Sequence, residues 1–124
     1  MGKIERFEQL VAWQKAHALV LEVYRISKQF PDDERFGIIS QLRRAAVSVP
    51  ANIAEGFKRR SKPEKCRFYN IAEGSLEETR CYLDSAIVRA PRASRQVLRQ
   101  GGEPISAQAY LRYGEHEIGD ANAA

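Results

Sequence analysis

Sulfur is scarce in this 124-residue sequence, which holds two cysteines and one methionine. Cys66 and Cys81 fall in a stretch whose apolar pattern predicts one helix, and 15 residues of helix span about 22 Å. A disulfide needs Cα atoms within about 7 Å, so an intrachain bridge is excluded. Two thiols do not make a zinc site by themselves, and His17 and His116 stand at no ligand-like spacing from them. Both are expected to be small buried or half-buried thiols. Long apolar runs are also missing. No stretch approaches the roughly 18 residues that cross a bilayer, which excludes a membrane partner. The start Met1-Gly2-Lys3-Ile4-Glu5-Arg6 carries charge where a signal peptide needs an apolar segment, so a cytoplasmic protein is expected. Arg6 stands where an N-myristoylation motif needs Ser or Thr.

The motifs of catalysis are missing as well. There is no Walker loop, dinucleotide fingerprint, HExxH or nucleophile elbow. A noncatalytic protein without metal or cofactor is expected. Glu73 and Glu77 form an i,i+4 pair that could begin a carboxylate metal site, but no Glu-x-x-His accompanies them, and a solvated helix face is the better reading. His17 stands alone and reads as a surface or interface histidine.

What is present is ordinary for a folded domain: 44% hydrophobic and 29% charged residues, in a chain long enough for one core. The formal net charge is +4. Residues 91–124 contribute four arginines (Arg92, Arg95, Arg99, Arg112) against four acids (Glu103, Glu115, Glu117, Asp120), so the whole excess lies in residues 1–90.

Apolar residues recur at helical spacing from Phe7 to Phe30, through Leu10, Val11, Ala16, Leu19, Val20, Val23, Tyr24 and Ile26, and predict an amphipathic first helix. Its stripe is wide, because Trp13, Leu21 and Val23 do not share one narrow face. Phe30-Pro31-Asp32-Asp33 ends it, since the residue before proline is pushed out of the α region. A second helix is expected from about Arg35 to Lys58 on Phe36, Ile39, Leu42, Ala46, Val49, Ile53 and Ala54. Pro50 deprives the Ala46 carbonyl of its partner, at about 3 kcal/mol if uncompensated, and predicts a kink or a junction of two helices. Ser61-Lys62-Pro63-Glu64 is a helix start, with Ser61 and Glu64 as a capping box and Pro63 in the first turn. The third helix should reach about Val88 on a near-heptad stripe of Phe68, Ile71, Ala72, Ser75, Leu76, Thr79, Tyr82, Leu83, Ala86 and Ile87. Beyond it, glycine and proline interrupt the pattern. Residues 91–124 read as an irregular segment with short helices at Ala93 to Gln100 and Ser106 to Tyr113, beside a helical domain of residues 1–90.

Two features bear on binding. Lys58, Arg59, Arg60, Lys62, Lys65 and Arg67 crowd the turn between the second and third helices with Glu64 as the lone acid, and Arg43 and Arg44 add charge on the second helix. Such clusters suit phosphates, because neutralising them releases condensed counterions. Phe57 and Tyr69 lie near enough in sequence to offer stacking surfaces to unpaired bases. The competing reading is a solvated turn that aids solubility. The segment Ser40 to Gly56 is rich in small residues. It suits close helix packing, with Gln41, Ser48 and Asn52 available for hydrogen bonds across the contact, and Arg43 and Glu55 could pair between subunits.

Three stretches carry a family resemblance: Val11-Ala12-Trp13-Gln14-Lys15-Ala16-His17, Ser40 through Gly56 (SQLRRAAVSVPANIAEG), and Phe68 through Glu78 (FYNIAEGSLEE). Over about residues 5 to 88 the sequence resembles the bacterial four-helix-bundle proteins encoded in intervening sequences of 23S ribosomal RNA genes. It also looks related to the accessory variability protein of diversity-generating retroelements. The resemblance implies an all-α, up-and-down four-helix bundle, assembled as a homopentamer and without catalytic activity. It makes RNA or DNA a partner, with Arg43, Arg44, Lys58, Arg59 and Arg60 at the family's basic positions. The chain departs from the pattern at Ile87-Val88-Arg89-Ala90-Pro91-Arg92, where members continue into a long fourth helix. Here that helix is expected to be weak or degenerate. A noncatalytic, nucleic-acid-binding homo-oligomer is the leading expectation, and a structural or protein-interaction module is the alternative.

Overall fold

Small side chains facing each other across two helix seams set the arrangement of the chain. In the computed structural model, which describes residues 4–30 and 37–89 with side chains through residue 86, all regular structure among the described residues is helical. The helices are α1 (Val11–Ser27), α2 (Ile38–Lys58) and α3 (Lys62–Arg89), preceded by one 3₁₀ turn at Phe7–Gln9. The fourth element expected at Ala93 to Gln100 and Ser106 to Tyr113 lies outside the described residues, as do the domain boundary near residue 90 and the start of the second helix at Arg35.

The first helix is shorter than its periodicity suggests. Leu10 is extended (φ −71°, ψ 127°) and separates the 3₁₀ turn from α1. Polar side chains hold this break. Gln9 Oε1 accepts from the backbone N–H groups of Glu5 at 2.9 Å and Arg6 at 3.0 Å, and Gln14 Nε2 donates to the Glu8 carbonyl at 2.9 Å. The Gln14 bond satisfies the Glu8 carbonyl, which a continuous helix would have paired with the Ala12 N–H, and the Gln9 bonds cap N–H groups ahead of the 3₁₀ turn. Leu21 is 60% exposed, so the buried face of α1 is the narrower set Ala16, Leu19, Val23 and Ile26.

One uninterrupted α2 passes through Pro50, rather than two helices meeting there. Proline cannot bond to the Ala46 carbonyl. The cost is accepted inside a buried seam, since Ala45, Ala46, Val49, Pro50 and Ile53 are all buried. α3 starts where expected, with the Ser61 half of the capping box in place: Ser61 Oγ accepts from the Glu64 N–H at 3.3 Å, and the Lys65 N–H reaches the Ser61 carbonyl at 3.0 Å.

Contacts between the ends show the pairing. Arg43, early in α2, meets Ser27 and Tyr24, late in α1. Gly56, late in α2, lies against Phe68 and Tyr69, early in α3. Both neighbouring pairs are therefore antiparallel, with α2 packed against each partner. The main core joins Leu19 and Val23 of α1, Leu42, Ala46, Val49 and Ile53 of α2, and Ala72, Leu76 and Leu83 of α3. A smaller cluster of Ile26, Phe30, Ile39 and Ala86 closes one end.

The small-residue segment has the structural role its composition suggests. Ser48 Oγ and Ser75 Oγ meet at 2.8 Å across the α2–α3 seam, and Thr79 Oγ1 donates to the Ser75 carbonyl at 2.7 Å. Asn52 Nδ2 bonds within its own helix, to the Ser48 carbonyl at 2.7 Å, and Gln41 is exposed. The cysteines are free, with Cys66 half-buried and Cys81 exposed. The exposure of Cys81 departs from expectation because it lies on the outer side of α3, between the inward Thr79 and Leu83. No described helix is long and apolar enough to cross a membrane.

Candidate functional site

The end of the bundle where α2 turns into α3 gathers six of the eight basic residues singled out in the sequence. The turn is Arg59-Arg60-Ser61, and its tightness brings the last turn of α2 against the first turns of α3. Two of the six cations, Lys65 and Arg59, hold this corner together. Lys65 Nζ donates to the carbonyls of Phe57 at 2.8 Å and Gly56 at 3.3 Å, satisfying the C-terminal end of α2 from the facing helix. A cation at the negative end of a helix is favoured both by the dipole and by the unpaired carbonyls there. Arg59 Nη2 pairs with Glu55 Oε2 at 2.8 Å, and its guanidinium lies over the Phe68 ring, 4.6 Å from the centroid. The guanidinium of Arg67 approaches the same ring at 5.6 Å.

The other three, Lys58, Arg60 and Lys62, have exposed side chains, as has Arg67. Glu64 is also exposed, while Glu55 is engaged by Arg59. The tip therefore presents an excess of positive charge in water, spread over both sides of the turn.

Arg43 and Arg44 do not join it. Both sit near the other end of α2; Lys58 lies 14 residues beyond Arg44, or about 21 Å along the helix. Arg43 is committed to α1, with Nε donating to Ser27 Oγ at 2.8 Å and the guanidinium 4.5 Å from the Tyr24 centroid. Arg44 is exposed on the outer face of α2. Glu55, a suggested intersubunit partner of Arg43, pairs within the chain with Arg59, four residues on in the turn that follows α2.

The aromatic residues are also redistributed. Tyr69 does not face outward with the cations. Its ring packs over Gly56, where a Cβ would stand 2.7 Å from Cε1 and 2.9 Å from Cδ1, and it rests against the main core. Phe57 pairs with Lys65 Nζ, 5.5 Å from its centroid. The aromatic at the tip is Phe68, which the apolar pattern assigned to the stripe of the third helix and not to the basic cluster. Helical phase marks the difference: Tyr69, Leu76 and Leu83 recur every seven residues on the inward line, and Phe68 lies one residue, or about 100°, to the side. At the same end of the bundle, His17 is exposed and stacks on Trp13 at 4.8 Å and 9° between planes, and Trp13 meets Phe7 at 5.2 Å.

Residues 8–95 match the family model of the 23S rRNA-intervening sequence protein. The chain belongs to this family. The match spans α1 to α3, and with them the basic tip and the Trp13–His17 stack. None of the curated proteins matches the chain. Among the described residues no group of three or more His, Cys, Asp or Glu side chains could hold a metal ion. In this family member Glu77 pairs instead with Arg80 at 3.4 Å.

Burial pushes the Tyr69 hydroxyl above its ordinary value of 10.0, and the nearby Cys66 thiolate adds to the effect. The Glu78 carboxylate, which accepts from the Tyr82 hydroxyl at 2.9 Å, raises Tyr82 in the same direction. The folded chain thus keeps these phenols protonated to higher pH than the unfolded chain does. Their contribution to stability is complete below pH 10 and is lost as pH rises through the folded-state values. Urea midpoints measured from pH 8 to 11 should fall over the top of that range, and Tyr69→Phe should flatten the decline. A profile unchanged by the substitution would contradict the burial of this hydroxyl.

Proposed function

We propose that this protein is a noncatalytic, nucleic-acid-binding homo-oligomer, in which the α2–α3 tip supplies the phosphate contacts. The observation that carries the reading is the division of labour among the cations. Arg59 and Lys65 fasten the corner, and Lys58, Arg60, Lys62 and Arg67 are left exposed around it. Rigid fixing of a turn reduces the entropy lost when its side chains engage a ligand. Several exposed cations within one turn and the first helical turns match a run of neighbouring phosphates.

Self-association adds to this reading, because copies of the tip on one assembly act together. The pentamer implied by the family likeness is the form we propose. Two partly exposed apolar side chains support an interface: Val47 at 43% and Tyr24 at 39%. By helical phase they border the α1–α2 seam, with Arg43 between them, one turn before Val47 and against Tyr24. The same residues support the alternative reading, a protein-interaction module in which the tip only keeps the chain in solution.

Fluorescence anisotropy with a labelled structured RNA and a matched duplex DNA, at two salt concentrations, separates the two. With four phosphate contacts per chain the log–log salt slope should be about −3 for single strands. Lys58→Glu/Arg60→Glu should weaken binding by tenfold or more at low salt. These positions are preferable to Arg59, because Arg59 Nε is buried without a hydrogen-bond partner and its guanidinium braces Glu55 and Phe68. No binding at low salt, with the oligomer intact by light scattering, would favour the interaction module.

A further inference from the structure

The tip is blunt, flat and cationic, and these features select among nucleic acids. Two helices lie side by side there. With axes 8–10 Å apart and diameters of about 10 Å each, the hairpin end is about 18–20 Å wide. The major groove of duplex DNA is about 12 Å wide and the minor groove about 6 Å. Neither groove admits the tip across that width, and no helix projects beyond it, because α2 ends at Lys58 and α3 begins at Lys62. A duplex could meet only the exposed cations, through its outer phosphates.

The amides at the start of α3 are also occupied. Pro63 has no N–H, the Glu64 N–H goes to Ser61 Oγ, and the Lys65 N–H goes to the Ser61 carbonyl. Positions 63 to 65 therefore offer a phosphate no open backbone N–H, and side chains carry the contacts there. What the tip adds is a stacking surface. Phe68 is half-buried and carries the Arg59 guanidinium at 4.6 Å, with that of Arg67 at 5.6 Å. Aromatic rings and the planes of guanidinium groups are the surfaces on which splayed bases stack. Arg59 is held in place by Glu55, so part of that surface is ordered before any ligand arrives.

We propose that the tip takes unpaired nucleotides in preference to duplex, with phosphates on Lys58, Arg60, Lys62 and Arg67 and a base stacked at the Phe68–arginine surface. This rests on the nucleic-acid reading above and specifies its ligand: a single-stranded segment such as a loop, bulge or free end. Stacking is tolerant of sequence, so the preference is for unpaired structure rather than for one base order.

The test compares the full chain on a labelled single-stranded oligonucleotide and on its duplex, at equal phosphate concentration and fixed salt. The single strand should bind about tenfold tighter, the scale of one base–aromatic stack. Phe68→Leu keeps an apolar side chain beside Gly56 and should remove most of that advantage while leaving duplex affinity unchanged. If its thermal melt shows unfolding, Arg67→Gln, an exposed position, serves as the second variant: losing a stacking plane besides a phosphate contact, it should weaken single-strand binding more than duplex binding and so narrow the ratio. Equal affinities for strand and duplex, both abolished by Lys58→Glu/Arg60→Glu, would overturn the preference and leave the basic tip standing. Loss of all binding in the unmodified protein would overturn both.

Discussion

Leu42→Ala is expected to lower unfolding free energy by about 2–5 kcal/mol, toward the upper part of that range. Leu42 is fully buried on α2, the helix that packs against both neighbours, and belongs to the core shared by all three. Deleting its side chain removes transfer energy and leaves a cavity, and the cost depends on how far the surroundings can collapse. Ala45 and Ala46, also buried on α2, are too short to reach into the space. Domains of this size have only about 5–15 kcal/mol in hand, so the variant should unfold at clearly lower urea with an unchanged slope. Leu21→Ala is the matching control. That side chain is 60% exposed on α1, and its removal should stay within about 0.5 kcal/mol. Equal losses at the two positions would mean that α1 buries a different face.

Gly56→Ala and Gly74→Ala should move stability in opposite directions. Both glycines are inside helices, where alanine is intrinsically better by about 1 kcal/mol. At Gly74 nothing beyond the adjoining residues and the local helix backbone lies within 4 Å of the added Cβ, and the full gain should appear. At Gly56 the Cβ would meet two Tyr69 ring atoms at 2.7 and 2.9 Å and the Phe68 Cβ at 3.2 Å. The Phe68 Cβ is fixed to its backbone, so the helices must part or the Tyr69 ring must leave its place. Overpacking of this kind costs about 1–3 kcal/mol, which offsets the helical gain and leaves a net loss of up to about 2 kcal/mol. Thermal melts of the two variants give the signs directly. A stabilised Gly56→Ala would show that α2 and α3 are not in contact at the tip. A destabilised Gly74→Ala would reveal a close neighbour on the outer face of α3, as an assembled form of the protein would supply.

Helical phase made most of the core legible. Ile39, Leu42, Ala46, Val49 and Ile53 on α2, and Ala72, Leu76, Leu83 and Ala86 on α3, repeat at three or four residues and are buried. The start of α3 was equally readable, since Ser61, Pro63 and Glu64 act through local backbone bonds. The break at Leu10 was not, because apolar spacing runs through it without a gap and the deciding bonds come from the Gln9 and Gln14 side chains. Pro50 misled in the other direction. Of the kink or junction that a local rule predicts, the junction is absent: one α2 runs through Pro50, whose neighbours along the seam are buried.

The roles of the cations were legible only as a sum. Composition places charge near the turn, but Arg43, Arg59 and Lys65 look like Lys58 and Arg60 until the helices are packed. Each of the first three finds its partner on a facing helix or one turn away: Ser27 and Tyr24, Glu55 and Phe68, or the carbonyl end of α2. Sequence alone determined that the described residues are helical, where α3 begins, most of the residues that build the core, and that the basic turn joins two helices, because period, caps and composition act over a few residues. Only the tertiary structure decided which cations are bound within the fold and which face water, and that Phe68 rather than Tyr69 stands among them. Those outcomes depend on the approach of α2 to α3 at Gly56, a contact between residues that helical periodicity treats independently.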